Sequence, residues 1–213
     1  HRGFLDYTQA ALFTDVLPAY GGSTAGEVLA EELRAHPAAQ VFLTGHSLGG
    51  AAAVLAAARL SDLGVSPEQL IVTTFGAPAV GNAAFARRYE GKFTLRRVVM
   101  SGDPMKDILA KPLGFQQFGE RVTWSPARSV AKFPHAMTVY VDAAIRRLCD
   151  AYGGERAYLF LMGTPDRMAG RTLYTLPIET KMDEVLTEDA PYMAAVLRDA
   201  LHVRSAHTVF AAG

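Results

Sequence analysis

Val41-Phe42-Leu43-Thr44-Gly45-His46-Ser47-Leu48-Gly49-Gly50-Ala51-Ala52-Ala53 is the stretch that decides the fold. It passes from apolar, β-favouring residues through small ones into an alanine run, the order of a strand, a sharp turn and a helix. At the turn stands Gly45-His46-Ser47-Leu48-Gly49, a Gly-x-Ser-x-Gly pattern. A serine on a strained strand-to-helix turn presents its hydroxyl clear of the backbone, and the residues two before and two after it crowd each other, so only small ones fit. The helix that follows aims its first N–H groups at the same spot, which suits developing negative charge. The Leu48 N–H is one candidate donor to an oxyanion.

Downstream, residues 70–75 (Leu-Ile-Val-Thr-Thr-Phe) read as the next strand, stopped by Gly76-Ala77-Pro78. Asn82 is placed to cap a short helix through Tyr89. Residues 94–100 are a third strand ended by Ser101-Gly102-Asp103-Pro104, and residues 119–124 a fourth. Residues 48–63 form a long helix with a small face at Ala51, Ala52, Ala56 and Ala57. Residues 136–149 form another, with Val139, Ala143, Ile145 and Leu148 as core positions.

Upstream, Phe4, Leu5, Ala11, Leu12, Val16 and Leu17 recur at helical spacing, so a helix is expected over residues 1–20. Ser23 or Thr24 caps the next, with Glu27 in its first turn, Val28, Leu29 and Leu33 on one face, and His36-Pro37 at its end.

Strand and helix alternate at crossover spacing, which argues an α/β fold: a mostly parallel sheet covered by helices on both faces. In such sheets the chemistry gathers at the carboxyl ends of the strands, where Ser47 and Asp103 both fall. Residues 1–150 read as the core domain. Residues 151–213 read as an extension packed on it, with strands at 157–162 and 171–176 and a helix at 190–203.

The size, 213 residues, suits one domain with a substantial core. Lys plus Arg (21) equals Asp plus Glu (21), which gives no electrostatic case for nucleic acid or an anionic membrane surface. The single cysteine, Cys149, excludes an internal disulfide. No apolar run reaches transmembrane length. No ligand cluster suggests a metal, and the chemistry requires no cofactor.

A serine hydroxyl is a poor nucleophile near neutral pH; it needs a base, and a third group to orient that base. On this type of sheet the order along the chain is serine, acid, histidine. Asp103 follows the apolar run Val98-Val99-Met100 and precedes Pro104, so it leaves a strand end; Asp107 is the rival. After the acid come His135, His202 and His207. His135 stands at an element boundary after Phe133-Pro134, His202 falls inside a helix, and His207 is the runner-up. His46 adjoins Ser47, but its direction in the turn suits packing.

These residues carry a resemblance to the class 3, fungal-type lipase family, which has an α/β-hydrolase fold. His1-Arg2-Gly3-Phe4-Leu5 resembles the family's His-x-Gly-Phe helix start. Thr44 to Ala51 resembles its serine turn nearly letter for letter, and Phe75-Gly76-Ala77-Pro78-Ala79-Val80-Gly81-Asn82 the segment after the next strand. Ser101-Gly102-Asp103-Pro104-Met105 is similar to the segment bearing the family's aspartate, and His135 followed by Tyr140 to its histidine segment.

Position by position, the resemblance implies Ser47 as nucleophile, Asp103 as orienting acid and His135 as base. In the family a strand and a small-residue loop with the second oxyanion donor precede the His-x-Gly-Phe helix, so that part of the fold is expected to lie before His1. Only the Leu48 half of the oxyanion hole would then be present, and loss of one donor costs about a hundred- to a thousand-fold in turnover. Met105 and Lys106, with Lys111-Pro112 further on, depart from the family's pattern after the aspartate.

The implied activity is cleavage of carboxylic esters, acylglycerols or other lipid esters above all, with transient contact with a lipid surface. A histidine base must be neutral, so turnover is expected to rise as pH passes about 6 to 7. The alternatives are a lipase-like scaffold that binds an acyl ligand or partner without turnover, and an acyltransferase or amidase using the same three residues.

Overall fold

The computed structural model describes residues 1–105, 108–109, 114–126 and 134–152. They belong to two compact units, one running from His1 to Trp124 and a second starting at Ser125.

In the first unit, α1 (Arg2–Leu12) leads into two short strands, β1 (Val16–Leu17) and β2 (Ser23–Thr24). Then come α2 (Ala25–Ala35), β3 (Val41–His46), α3 (Leu48–Asp62), β4 (Leu70–Phe75), α4 (Ala83–Tyr89), β5 (Thr94–Met100) and β6 (Glu120–Trp124). The last four strands form one sheet in the order β3-β4-β5-β6, every pair parallel. The bounds expected for β4 and β5 are met at both ends. β4 is mostly apolar, β5 ends in the apolar run Val98-Val99-Met100, and glycines at positive φ follow them: Gly76, at +60°, after β4, and Gly102, at +85°, just beyond β5.

The register places Val41, Leu43, Val72, Thr74 and Leu95 on one sheet face. α3 packs there through small residues, with Gly50, Ala51, Ala57 and Ala58 buried. α2 and α1 stack on α3 in turn. The opposite face is buried at its carboxyl half, at Val98 and Met100, and exposed at its amino half, at Thr94, Arg96 and Glu120.

Buried Gln69 anchors the approach to β3. Its side-chain amide donates to the carbonyls of Leu33 at 2.6 Å, Ala39 at 3.0 Å and His36 at 3.1 Å. These lie at and just beyond the end of α2, where carbonyls lack intrahelical donors. At the other end of α2, Thr24 caps it as expected, in a reciprocal box with Glu27.

The first helix is shorter than the 1–20 expected. It ends at Leu12, where the Phe13 N–H and the Thr14 hydroxyl both donate to the Gln9 carbonyl. Val16 and Leu17, which continued the helical spacing, pair instead with Thr24 and Ser23 across a turn that uses Gly21 and Gly22 at positive φ.

The second unit holds α5 (Met137–Tyr152), where a helix is expected over 136–149; it starts one residue later and runs three residues further, with Val139, Tyr140, Asp142 and Ala143 buried. The side chains of Ile145 and Leu148 lie outside the described residues, as do Asp107, Lys111-Pro112, His202, His207 and the elements expected after residue 153.

Candidate active site

β3 ends at His46 and α3 begins at Leu48, so one residue, Ser47, makes the whole change of direction. It does so at φ +52° and ψ −118°, and among the described residues it is the one non-glycine at positive φ. Such a conformation costs about 1–3 kcal/mol and persists only where the surroundings impose it. Two restraints do so here. The Ser47 N–H donates to the Phe75 carbonyl at 2.9 Å, tying the turn to the end of β4. The Ser47 carbonyl accepts the Ala51 N–H at 3.1 Å, the first bond of α3.

The expected crowding is real but one-sided. A Cβ on Gly45 would lie 2.2 Å from the Gly49 carbonyl carbon and 2.5 Å from the Gly50 nitrogen. A Cβ on Gly50 would lie 2.7 Å from the Ala77 Cβ and 2.8 Å from the Gly45 oxygen. A Cβ on Gly49 would meet nothing within 4 Å. The tight pair is therefore Gly45 and Gly50, and Ala77, from the segment after β4, forms part of the wall. No pattern centred on the serine reveals Ala77, because its contact depends on β4 lying beside β3.

The Ser47 side chain makes no capping bond to α3. The first-turn N–H groups of Leu48, Gly49 and Gly50 have no intrahelical acceptor, and they sit at the positive end of a 15-residue helix. Leu48 is 42% exposed, so the residue stands at the surface of the turn.

Asp103 leaves the same sheet edge. The β3–β4–β5 register sets His46 beside Phe75 and Phe75 beside Val98, so β3 and β5 lie two strand spacings apart, about 10 Å, and β5 runs two residues further, to Met100, before Asp103. Asp103 is fully buried. Its N–H donates to the Met100 carbonyl at 3.0 Å, and its Oδ1 accepts the Met105 N–H at 2.8 Å. The carboxylate thus turns its own loop, as an aspartate before proline commonly does. His135 belongs to the second unit, where it is half-buried in the turn before α5.

Among the described residues no group of three or more His, Cys, Asp or Glu is arranged to hold a metal ion. No described helix is long and apolar enough to cross a membrane.

Residues 1–111 match the family model for lipase (class 3), a stretch that includes Ser47 and Asp103. The chain belongs to the class 3 lipase family. Its similarity to individual members is partial. It is 36% identical over 118 residues to a lipase of Rhizopus niveus, covering 54% of this chain and 28% of that one. It is 36% identical over 98 residues to the secreted mono- and diacylglycerol lipase 2 of Gibberella zeae, covering 41% of this chain and 24% of that one. The solved structure of lipase II from Rhizopus niveus aligns at 33% identity with a TM-score of 0.46, covering 58% of this class 3 lipase chain and 44% of the other. The chain thus spans about a quarter to under half the length of these relatives.

Proposed function

We propose that this class 3 lipase-family chain is a serine hydrolase of carboxylic esters, acting on acylglycerols or related lipid esters through Ser47, His135 and Asp103. The observation that carries the reading is the strained Ser47, held at φ +52° between β3 and α3 with first-turn N–H groups left unspent beside it. Strain of this kind stabilises nothing in the fold; it aims a hydroxyl. The lipid-ester class draws support from family membership and from the similarity to the mono- and diacylglycerol lipase of Gibberella zeae.

In this mechanism the Ser47 Oγ attacks the ester carbonyl carbon while His135 takes its proton. Asp103 holds the imidazole in the tautomer that can accept that proton. The carbonyl oxygen becomes an oxyanion, and the Leu48 N–H donates to it. The tetrahedral species collapses, the C–O bond to the alcohol breaks, and His135 returns the proton to the departing oxygen. Water repeats the sequence on the acyl-serine and releases the acid. The hydrolase core in this reading runs through residue 150, and residues 151–213 extend it.

The test is hydrolysis of a short-chain ester and of mono-, di- and triacylglycerols by the parent and by Ser47→Ala. Turnover in the parent and a loss of about 10⁴-fold or more in the variant, with the fold intact, supports the assignment. Undiminished hydrolysis by Ser47→Ala refutes it. Tight binding of acyl ligands without turnover in the parent would establish the scaffold reading instead, and acyl transfer outrunning hydrolysis when alcohol acceptors are supplied would establish the transferase.

A further inference from the structure

In the first unit, away from the turn at Ser47, one charged pair stands unbalanced. The β5–β6 register sets Arg97 directly beside Arg121, so two guanidinium stems leave the same sheet face about 4.8 Å apart at the backbone. Like charges in facing positions weaken a sheet. Arg97 is also half-buried. Burial first, and then Arg121, hold its pKa below the ordinary arginine value, and Glu90 after α4 opposes this only in part.

The donors of the pair are largely unspent. Arg97 Nε donates to the Phe118 carbonyl at 2.6 Å, and that is its one hydrogen bond among the described residues. Its two Nη groups therefore carry four N–H donors with no acceptor among the described residues. Arg121 is exposed and makes no hydrogen bond or ion pair among the described residues. The neighbouring carboxylate on β6, Glu120, is engaged by Arg96 at 3.2 Å, and the register puts that pair on the opposite sheet face.

We propose that Arg97 and Arg121 form a binding site for a phosphate-type oxyanion, with Arg97 held in place by the Phe118 carbonyl and Arg121 as the exposed half. A carboxylate has two oxygens and is satisfied by one guanidinium fork; a tetrahedral phosphate offers acceptors to both. Bound there, it would turn the repulsion between the two arginines into attraction to a shared anion. Arg97 lies three residues before Met100, about 10 Å short of the carboxyl edge that carries Ser47, so the site is separate from the ester chemistry. Free inorganic phosphate and the phosphoryl headgroup of a lipid present the same chemistry.

The whole protein is titrated with inorganic phosphate at constant ionic strength, with chloride as the balancing salt, and followed by melting temperature and calorimetry. Phosphate should raise the melting temperature of the parent. Arg121→Gln, relieved of the repulsion, should melt at or above the parent without phosphate, and bind phosphate at least tenfold more weakly. A pair that is merely structural would not produce these opposite signs. Equal phosphate responses in parent and variant, or an equal response to chloride, overturn the proposal.

Phosphatidylcholine vesicles with and without phosphatidic acid separate the sources. Sedimentation with phosphatidic acid vesicles, reversed by phosphate and lost in Arg121→Gln, identifies a headgroup site. A phosphate response without such sedimentation identifies a site for the free ion. Neither response in the parent overturns the site.

Discussion

Alanine at Gly45, Gly49 and Gly50 should have three different consequences, though the sequence presents them alike. At Gly45 the added Cβ falls 2.2 Å from the Gly49 carbonyl carbon and 2.3 Å from its oxygen, both backbone atoms. Ordinary contact lies near 3.5–4.0 Å, so the start of α3 must move by more than 1 Å, at the upper end of the roughly 1–3 kcal/mol cost of overpacking or beyond it. At Gly50 the Cβ falls 2.7 Å from the Ala77 Cβ and 2.8 Å from the Gly45 oxygen. The overpacking cost, about 1–3 kcal/mol, is offset by the gain of up to about 1 kcal/mol from replacing a helical glycine. At Gly49 nothing lies within 4 Å, so only the propensity gain remains, and stability should stay level or rise by up to about 1 kcal/mol. Urea unfolding of the three variants and the parent, with the slope m checked for constancy, gives the order directly. Ester turnover measured alongside should fall most in Gly45→Ala, because the shift displaces Ser47 and the Leu48 N–H together. Gly45→Ala as stable and active as the parent, or Gly49→Ala destabilised by more than about 1 kcal/mol, would refute the packing described for the turn.

Other positions give independent checks. The Thr74 hydroxyl is buried beneath the start of α3 with no hydrogen-bond partner among the described residues, so Thr74→Val should stabilise the protein by about 1 kcal/mol in the same urea assay. Gln69→Leu removes the donor shared by three carbonyls; His36 keeps the Ala39 N–H, and the other two should cost about 2–6 kcal/mol together, at about 1–3 kcal/mol for each carbonyl left without a donor. Asp62 accepts the Tyr89 hydroxyl at 2.7 Å and Arg88 Nη2 at 3.0 Å. Partial burial works to raise its pKa, but the bonds from Tyr89 and Arg88, with the charges of Arg88 and Arg59, together outweigh it, and the net shift is downward. A lowered folded-state pKa stabilises above the ordinary aspartate value of 3.8, and that contribution fades as pH falls through the lower folded value. Asp62→Asn should therefore be less stable than the parent at pH 7, by a margin that closes on acidification below 3.8; a margin constant with pH contradicts this.

β4 and β5 were legible because each ends in β-favouring residues followed by glycine and proline, and Thr24 and Asn82 because a capping side chain acts within three residues of itself. The length of α1 was not. Val16 and Leu17 fit helical spacing as well as they fit a strand, and pairing with Ser23 and Thr24 decided between them. Tertiary contact also separates Gly50 from Gly49, since Ala77 arrives from the segment after β4. The Arg97–Arg121 pairing depends on the register of two strands whose paired residues are 24 apart along the chain, which neither strand's own pattern encodes. Ser47 and Asp103 could be proposed from sequence because their types and order are chemical requirements. The backbone strain at Ser47 and the turn that Asp103 builds with Met105 are geometric and had to be seen.

A fluorophosphonate probe tests the central claim most directly, because only a serine activated by a base reacts quickly with it. Intact mass and peptide mapping should find one adduct, on Ser47. Labelling should vanish in Ser47→Ala and slow by orders of magnitude in His135→Ala. An adduct elsewhere, or Ser47 labelled as fast in His135→Ala as in the parent, would contradict the assignment of these residues as nucleophile and base.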